Sequence, residues 1–269
     1  MKSKSVTFDT NVFSHIVRPE NCDDLALQAV CIKIANLIQN SSIRPYVSET
    51  VFNLEGIERK DRPGYFGTYR PSGTTEEIPS ENPNTIHQRV CIGPDLAGRP
   101  ASNPILVEKL EKARGLGFRL FSAPRIGFPR NPLLVKPNFG ARSASQMGEQ
   151  QSRFFEALSF ISSLGAGVEV ARSIGNKFRT CERVWYEALK HASTKQAKLA
   201  IGEWSDGDSV AAHISYGIDF FCTRDEARDA GSKSVFAPEN RMKLNERYGV
   251  VFVSPDELLG LLAKMEECE

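Results

Sequence analysis

Five short apolar runs, each followed by a stretch of helical periodicity, most tightly constrain what this chain can fold into. They lie at 5–8, 43–47, 118–121, 220–223 and 250–253. Strands this short and this apolar belong to a sheet covered on both faces. Between them the apolar residues return every three or four positions, as at Leu27, Val30, Ile34, Leu37 and Ile38 in the predicted helix 23–39. Further helices are predicted over 103–114, 150–163, 180–201, 206–216 and 255–267. Strands alternating with helices imply an α/β fold: a three-layer sandwich with a central, mostly parallel sheet. Ligands of such folds bind beyond the carboxyl ends of the strands.

One stretch departs from the alternation. Residues 59–145 carry 11 of the 15 prolines and 14 Lys/Arg against 7 Asp/Glu. Proline breaks helices and central strands, so this stretch reads as a basic, loop-rich insertion within a single domain, 1–269. The plain reading is a surface excursion with no partner. The rest of the chain is acidic and the net charge is only +1, which excludes a uniformly basic nucleic-acid coat. No apolar run reaches the roughly 18–20 residues that span a membrane, and MKSKSVTFDT lacks the apolar core of a signal peptide. Six cysteines without CxxC spacing and four scattered histidines offer no zinc motif. The cysteines read as reduced packing residues, which suggests a cytoplasmic protein.

Four acidic residues stand at or beyond predicted strand ends: Asp9, Glu55, Asp206 and Asp225. In a parallel sheet such ends share one edge, so the four carboxylates can converge. Converging carboxylates repel and rise in pKa unless cations neutralise them. Oxygen-only ligation suits Mg²⁺ or Mn²⁺, and two such ions can promote phosphodiester hydrolysis. Each acid also has a plainer reading. Asp206 and Asp208 can be helix N-terminal charges, Glu55 a solvated residue, and Asp225 the cap of a helix near Glu226.

The motifs FDTNVF and DGDSVAAHISYGIDFFCTRD, with VFVSPDELL after them, resemble the opening and C-terminal signatures of PIN-domain ribonucleases. The resemblance covers roughly 4–58 and 180–263 and leaves out the insertion. It implies a Rossmann-like fold and a metal-dependent nuclease. Asp9 matches the first acid, Asn11 the polar residue that orients it, Asp225 the last acid and Thr223 the supporting hydroxyl. Asp206 fits the third acid and Asp208 is the runner-up. Glu55 fits the second, with Glu49 as its substitute.

Other phosphate chemistries lack their residues. A haloacid-dehalogenase site needs a second Asp where Asn11 stands, no GxxxxGK[ST] occurs, and GLGFRL at 115–120 lacks the third glycine of a dinucleotide fingerprint. The expected substrate is RNA, single-stranded or looped. Arg99, Arg114, Arg119, Arg125, Arg130, Lys136 and Arg142 of the insertion are the candidate backbone contacts. Tyr65, Phe66, Tyr69 and Phe128 can stack on bases or pack within the insertion. Hydrolysis would leave a 5′-phosphate and a 3′-hydroxyl. The rival readings are a non-catalytic RNA-binding or regulatory module, and the toxin of a toxin–antitoxin pair with an inhibitory protein partner. A homo-oligomer is also compatible with the sequence.

Overall fold

The computed structural model describes residues 3–58, 60–62, 64–65, 71–78, 87–94, 103–123, 144–179 and 185–267. In chain order, β1 (Lys4–Phe8) leads into α1 (Thr10–Val17) and α2 (Leu25–Gln39). β2 (Ile43–Ser48) and the single turn α3 (Thr50–Asn53) follow. A two-stranded antiparallel ribbon, β3 (Pro71–Ile78) and β4 (His87–Pro94), comes next. Then come α4 (Pro104–Leu116), β5 (Arg119–Phe121), α5 (Ala144–Ser163), α6 (Val168–Lys177), α7 (Trp185–Ala188) and α8 (Thr194–Tyr216). β6 (Phe220–Cys222), α9 (Pro238–Tyr248), β7 (Val251–Val253) and α10 (Pro255–Glu267) complete the fold.

The central sheet has five strands, all parallel, in the order β5-β2-β1-β6-β7. Helices cover both faces. Val6 and Phe8 of β1, Val47 of β2 and Cys222 of β6 join one core with α1, α2, α4 and α10. Phe121 of β5 and Phe221 of β6 face the other core, built from α5, α8 and α9. Both faces are apolar, so these strands show as continuous runs rather than alternating ones.

The order reverses between β1 and β6: β2 and β5 build outward on one side, β7 on the other. The loops after β1 and β6 therefore leave in opposite directions and open a crevice at the carboxyl edge.

Two expectations are corrected. The stretch 59–145 is not one insertion. Within it, β5 pairs with β2, and Leu110, Ala113, Phe118 and Leu120 enter the core. Among the described residues of this stretch, the ribbon β3–β4 forms a sheet of its own, separate from the central one. The three prolines of 59–145 among the described residues sit at the ends of regular elements: Pro71 opens β3, Pro94 closes β4 and Pro104 opens α4. The second correction concerns the predicted helices 180–201 and 206–216. Ser193 forms a capping box with Gln196, and one helix then runs unbroken to Gly217. Almost every residue from Glu203 to Ser215 is buried, and that packing carries the helix through Gly202 and Gly207 despite the poor helix propensity of glycine. The helices α6 and α9 were not foreseen; α9 carries weak apolar periodicity, whereas α6 is clearly amphipathic and buries Val168, Val170, Ala171 and Ile174. No single described helix is long and apolar enough to cross a membrane.

Candidate active site

Asp9 is where β1 becomes α1. Its backbone N–H donates to the Cys222 carbonyl of β6 at 2.9 Å, which anchors it across the crevice. Its carboxylate caps α1 through Thr10 N–H (2.7 Å). The other oxygen accepts from Asn11 Nδ2 (2.8 Å) and Thr223 Oγ1 (2.6 Å). Asn11 Oδ1 in turn takes the Arg224 N–H at 3.1 Å. The Asp-Thr-Asn run thus ties the end of β1 to the loop after β6.

Glu55 enters from beyond α3. Its Oε1 accepts from Ser205 Oγ (2.7 Å) and Thr10 Oγ1 (3.2 Å), and Arg62 holds its backbone carbonyl (2.7 Å). Asp225 lies just past β6. Its Oδ1 accepts from Ala227 N–H at 2.6 Å, and Arg241 donates to its carbonyl. It caps no helix, because the next helix, α9, begins only at Pro238. Asp206 sits in the middle of α8, not at a helix start, and reaches the edge from above the crevice.

These four acids line one cavity of about 810 Å³, together with Asn11 and Thr10. The cavity also holds two further acids that sequence reasoning missed, Glu203 and Asp229. Glu203 precedes Asp206 by three positions on α8, so both project from one helix face. The signal was present in EWSD but was hidden by the expected break between two helices. Glu203 is buried, and its Oε2 has no hydrogen-bond partner.

The carboxyls raise one another. Burial pushes Asp9 up to about 7, Glu55 and Asp225 add repulsion, and the Thr223 and Thr10 hydrogen bonds only partly offset both. Burial also raises Glu55, against the pull of Ser205, Arg62 and Thr10. Asp206 stands well above the usual carboxylate range through burial and repulsion from Asp9, Glu55, Glu203 and Asp225. Burial lifts Glu203 to about 7, with repulsion from Asp225 and Asp229 added and hydrogen bonds from Ser234 and Val235 opposing.

The alternatives are settled geometrically. Glu49 is buried at the end of β2, where its Oε1 accepts the Ala123 N–H at 2.9 Å; it ties β2 to the segment after β5 and does not line the cavity. Asp208 is fully buried behind α8 and also lies off the cavity.

The expected basic contacts fare differently. Arg119 opens β5 and Arg114 lies near the end of α4; both are exposed and neither lines the cavity. Tyr65 is a core residue packed near Leu54 and Ile57, so it is not a stacking platform. Arg99, Arg125, Arg130, Lys136, Arg142, Phe66, Tyr69 and Phe128 lie outside the described residues. The cations in the cavity wall are instead Arg62, Lys195, Lys198, Arg224 and Arg228. Apart from Arg62, which belongs to 59–145, these cations are scattered among acids outside that stretch, so charge counting along the chain does not single them out.

The donor set is oxygen-rich and free of thiolate, which suits a hard divalent cation. The orphaned Oε2 of Glu203 and the mutual repulsion at Asp206 fit a site that gains by neutralisation. Among the described residues no three His, Cys, Asp or Glu side chains are already arranged around one metal position; Asp9 and Glu55 face their own protein donors. Comparison with protein-family models, curated proteins and solved structures finds no match.

Proposed function

We propose that this chain is a divalent-cation-dependent endoribonuclease of the PIN-like class, hydrolysing single-stranded or looped RNA. The observation that carries the reading is the convergence of Asp9, Glu55, Asp206 and Asp225, from four separate segments, on one cavity at the strand-order reversal. The five-stranded parallel sheet with helices on both faces suits the Rossmann-like three-layer sandwich that the FDTNVF and TRD motifs resemble.

Asp9, Glu55, Asp206 and Asp225 would hold Mg²⁺ or Mn²⁺, with Glu203 offering a further oxygen. A pair of bound ions supplies Lewis acidity toward the phosphodiester and the attacking water. The protein's own groups do the positioning. Asn11 and Thr223 fix one Asp9 oxygen, and Ser205 and Thr10 fix one oxygen of Glu55. Each acid thereby keeps one oxygen oriented before any cation arrives, which lowers the reorganisation needed at reaction. The five wall cations offset the repulsion that an acidic pocket exerts on RNA.

The test is cleavage of an end-labelled single-stranded RNA in Mn²⁺, with product ends mapped. The expected products carry 5′-phosphate and 3′-hydroxyl, and both chelator and Asp9→Asn abolish them. Cleavage that survives both overturns the assignment. The engagement of Asp9 and Glu55 by protein donors favours a second reading, a non-catalytic RNA-binding module. That reading is supported by RNA binding with no Mn²⁺-dependent cleavage and no calorimetric Mn²⁺ uptake.

A further inference from the structure

One face of α8 runs from the mouth of the cavity to its acids. Lys195, Lys198, Gly202, Glu203 and Asp206 all line the cavity, at spacings that place them on one side of a helix. Two cations come first, then a position with no side chain, then the acids. We propose that this face is the track on which the substrate's sugar–phosphate chain lies, with Lys195 and Lys198 holding phosphates and Gly202 leaving room for close approach. The proposal rests on the nuclease reading and assigns its substrate-binding surface.

The glycine carries the argument. A glycine inside a helix is unfavourable relative to alanine, so its presence calls for a reason. At Gly207, one turn on, the reason is packing: an added Cβ would stand 2.7 Å from the Cα of Gly167. At Gly202 an added Cβ would meet nothing within 4 Å, and the backbone there has no positive φ. Neither protein packing nor backbone conformation demands glycine at 202. Gly148 and Gly260 have the same open surroundings but are exposed. Gly202 opens onto the cavity, where the missing side chain enlarges a space reserved for something other than the protein.

The charges agree. Lys195 and Lys198 are exposed and form no ion pair among the described residues. On the facing loop Arg228 is paired with Glu226 at 2.6 Å, and Arg224 stands 3.9 Å from Asp24. The capping box already occupies the Gln196 N–H at the start of α8, so the lysine ammonium groups, not that N–H, are the free phosphate contacts. From Lys198 to Asp206 the helix rises about 12 Å, a span of a few nucleotides at most.

The experiment measures binding of a fluorescein-labelled 20-nucleotide single-stranded RNA to the full chain by anisotropy in chelator, over a salt series. Mn²⁺ uptake and Tm are measured in parallel. Gly202→Ala is expected to keep or raise Tm and weaken RNA binding by a few-fold; Gly202→Leu weakens it by tenfold or more. The double variant Lys195→Gln/Lys198→Gln weakens binding by about tenfold and reduces the salt slope by about 1.4, with Mn²⁺ uptake unchanged. Wild-type affinity and salt slope in the folded variants overturn the track while leaving the nuclease reading intact. Wild-type protein that binds this RNA but never cleaves it in Mn²⁺ overturns the nuclease reading alone. A wild-type chain that neither binds nor cleaves it overturns both.

Discussion

The two ends of the β1–β6 strand pair both carry aspartates, and they treat them in opposite ways. At the amino end, Asp219 accepts from the Ser5 N–H at 2.8 Å and from its hydroxyl, with Lys4 at 3.8 Å. Its partial burial raises its pKa, but the Ser5 bonds, Lys4 and Arg44 outweigh that and hold it below the usual range. At the carboxyl end, burial pushes Asp9, Glu55 and Asp206 above that range, with repulsion from neighbouring acids added at Asp9 and Asp206. One end is arranged for a carboxylate that is already satisfied. The other gathers buried carboxylates into one cavity, where Asp9 and Asp206 are repelled by their acidic neighbours. Perturbation upward in a cavity, rather than acidity alone, marks the functional end.

The sharpest way to break this contrast is substitution at each end. Asp206→Asn is expected to reduce Mn²⁺-dependent RNA cleavage by about 10³-fold or more, whereas Asp219→Asn leaves it within about two-fold. Equal losses would mean that the two ends do not differ in role.

The next effect is on stability. Asp9 keeps its proton in the fold up to about pH 7, while the unfolded chain loses it in the ordinary carboxylate range. Folding therefore binds protons between those limits, and the contribution is full at low pH and lost as pH rises through about 7. In chelator, Tm should fall between pH 5 and pH 8, and Mn²⁺ should raise it more at pH 8. Asp206→Asn should flatten both trends. A Mn²⁺ shift that is larger at pH 5 would contradict the coupling of these acids to a cation.

The smallest effect belongs to the amino end, where the sign reverses. A depressed pKa at Asp219 contributes stability above its unfolded value that is lost as pH falls through the folded one. Asp219→Asn should lower Tm at pH 7 by a few degrees, about 1 kcal/mol after solvent screening. The deficit should vanish toward pH 3 in a thermal melt series.

The strands were legible because a sheet buried on both faces writes itself as apolar runs. Asp9, Asn11, Thr223 and Asp225 were legible because they lie within a few residues of those runs. Glu55 could not be separated from Glu49, since one turn of α3 decides which of them faces the crevice. Glu203 was missed and Asp206 misplaced for a single reason: the reading ended one helix at 201 and began another at 206, where the structure has one continuous helix, Thr194–Tyr216. The wall cations were missed because they come from separate segments, and charge counting along a chain does not register such groups.

The hydrogen bond from Thr223 to Asp9 spans 214 positions, so the local contacts of Asp9 with Thr10 and Asn11 can form long before this one, which waits for the segment through Thr223. A ribosome still translating this message would carry a nascent chain whose acids have not yet met. The cavity therefore assembles only after the segments on both sides of the strand-order reversal have been made, a delay built into topology.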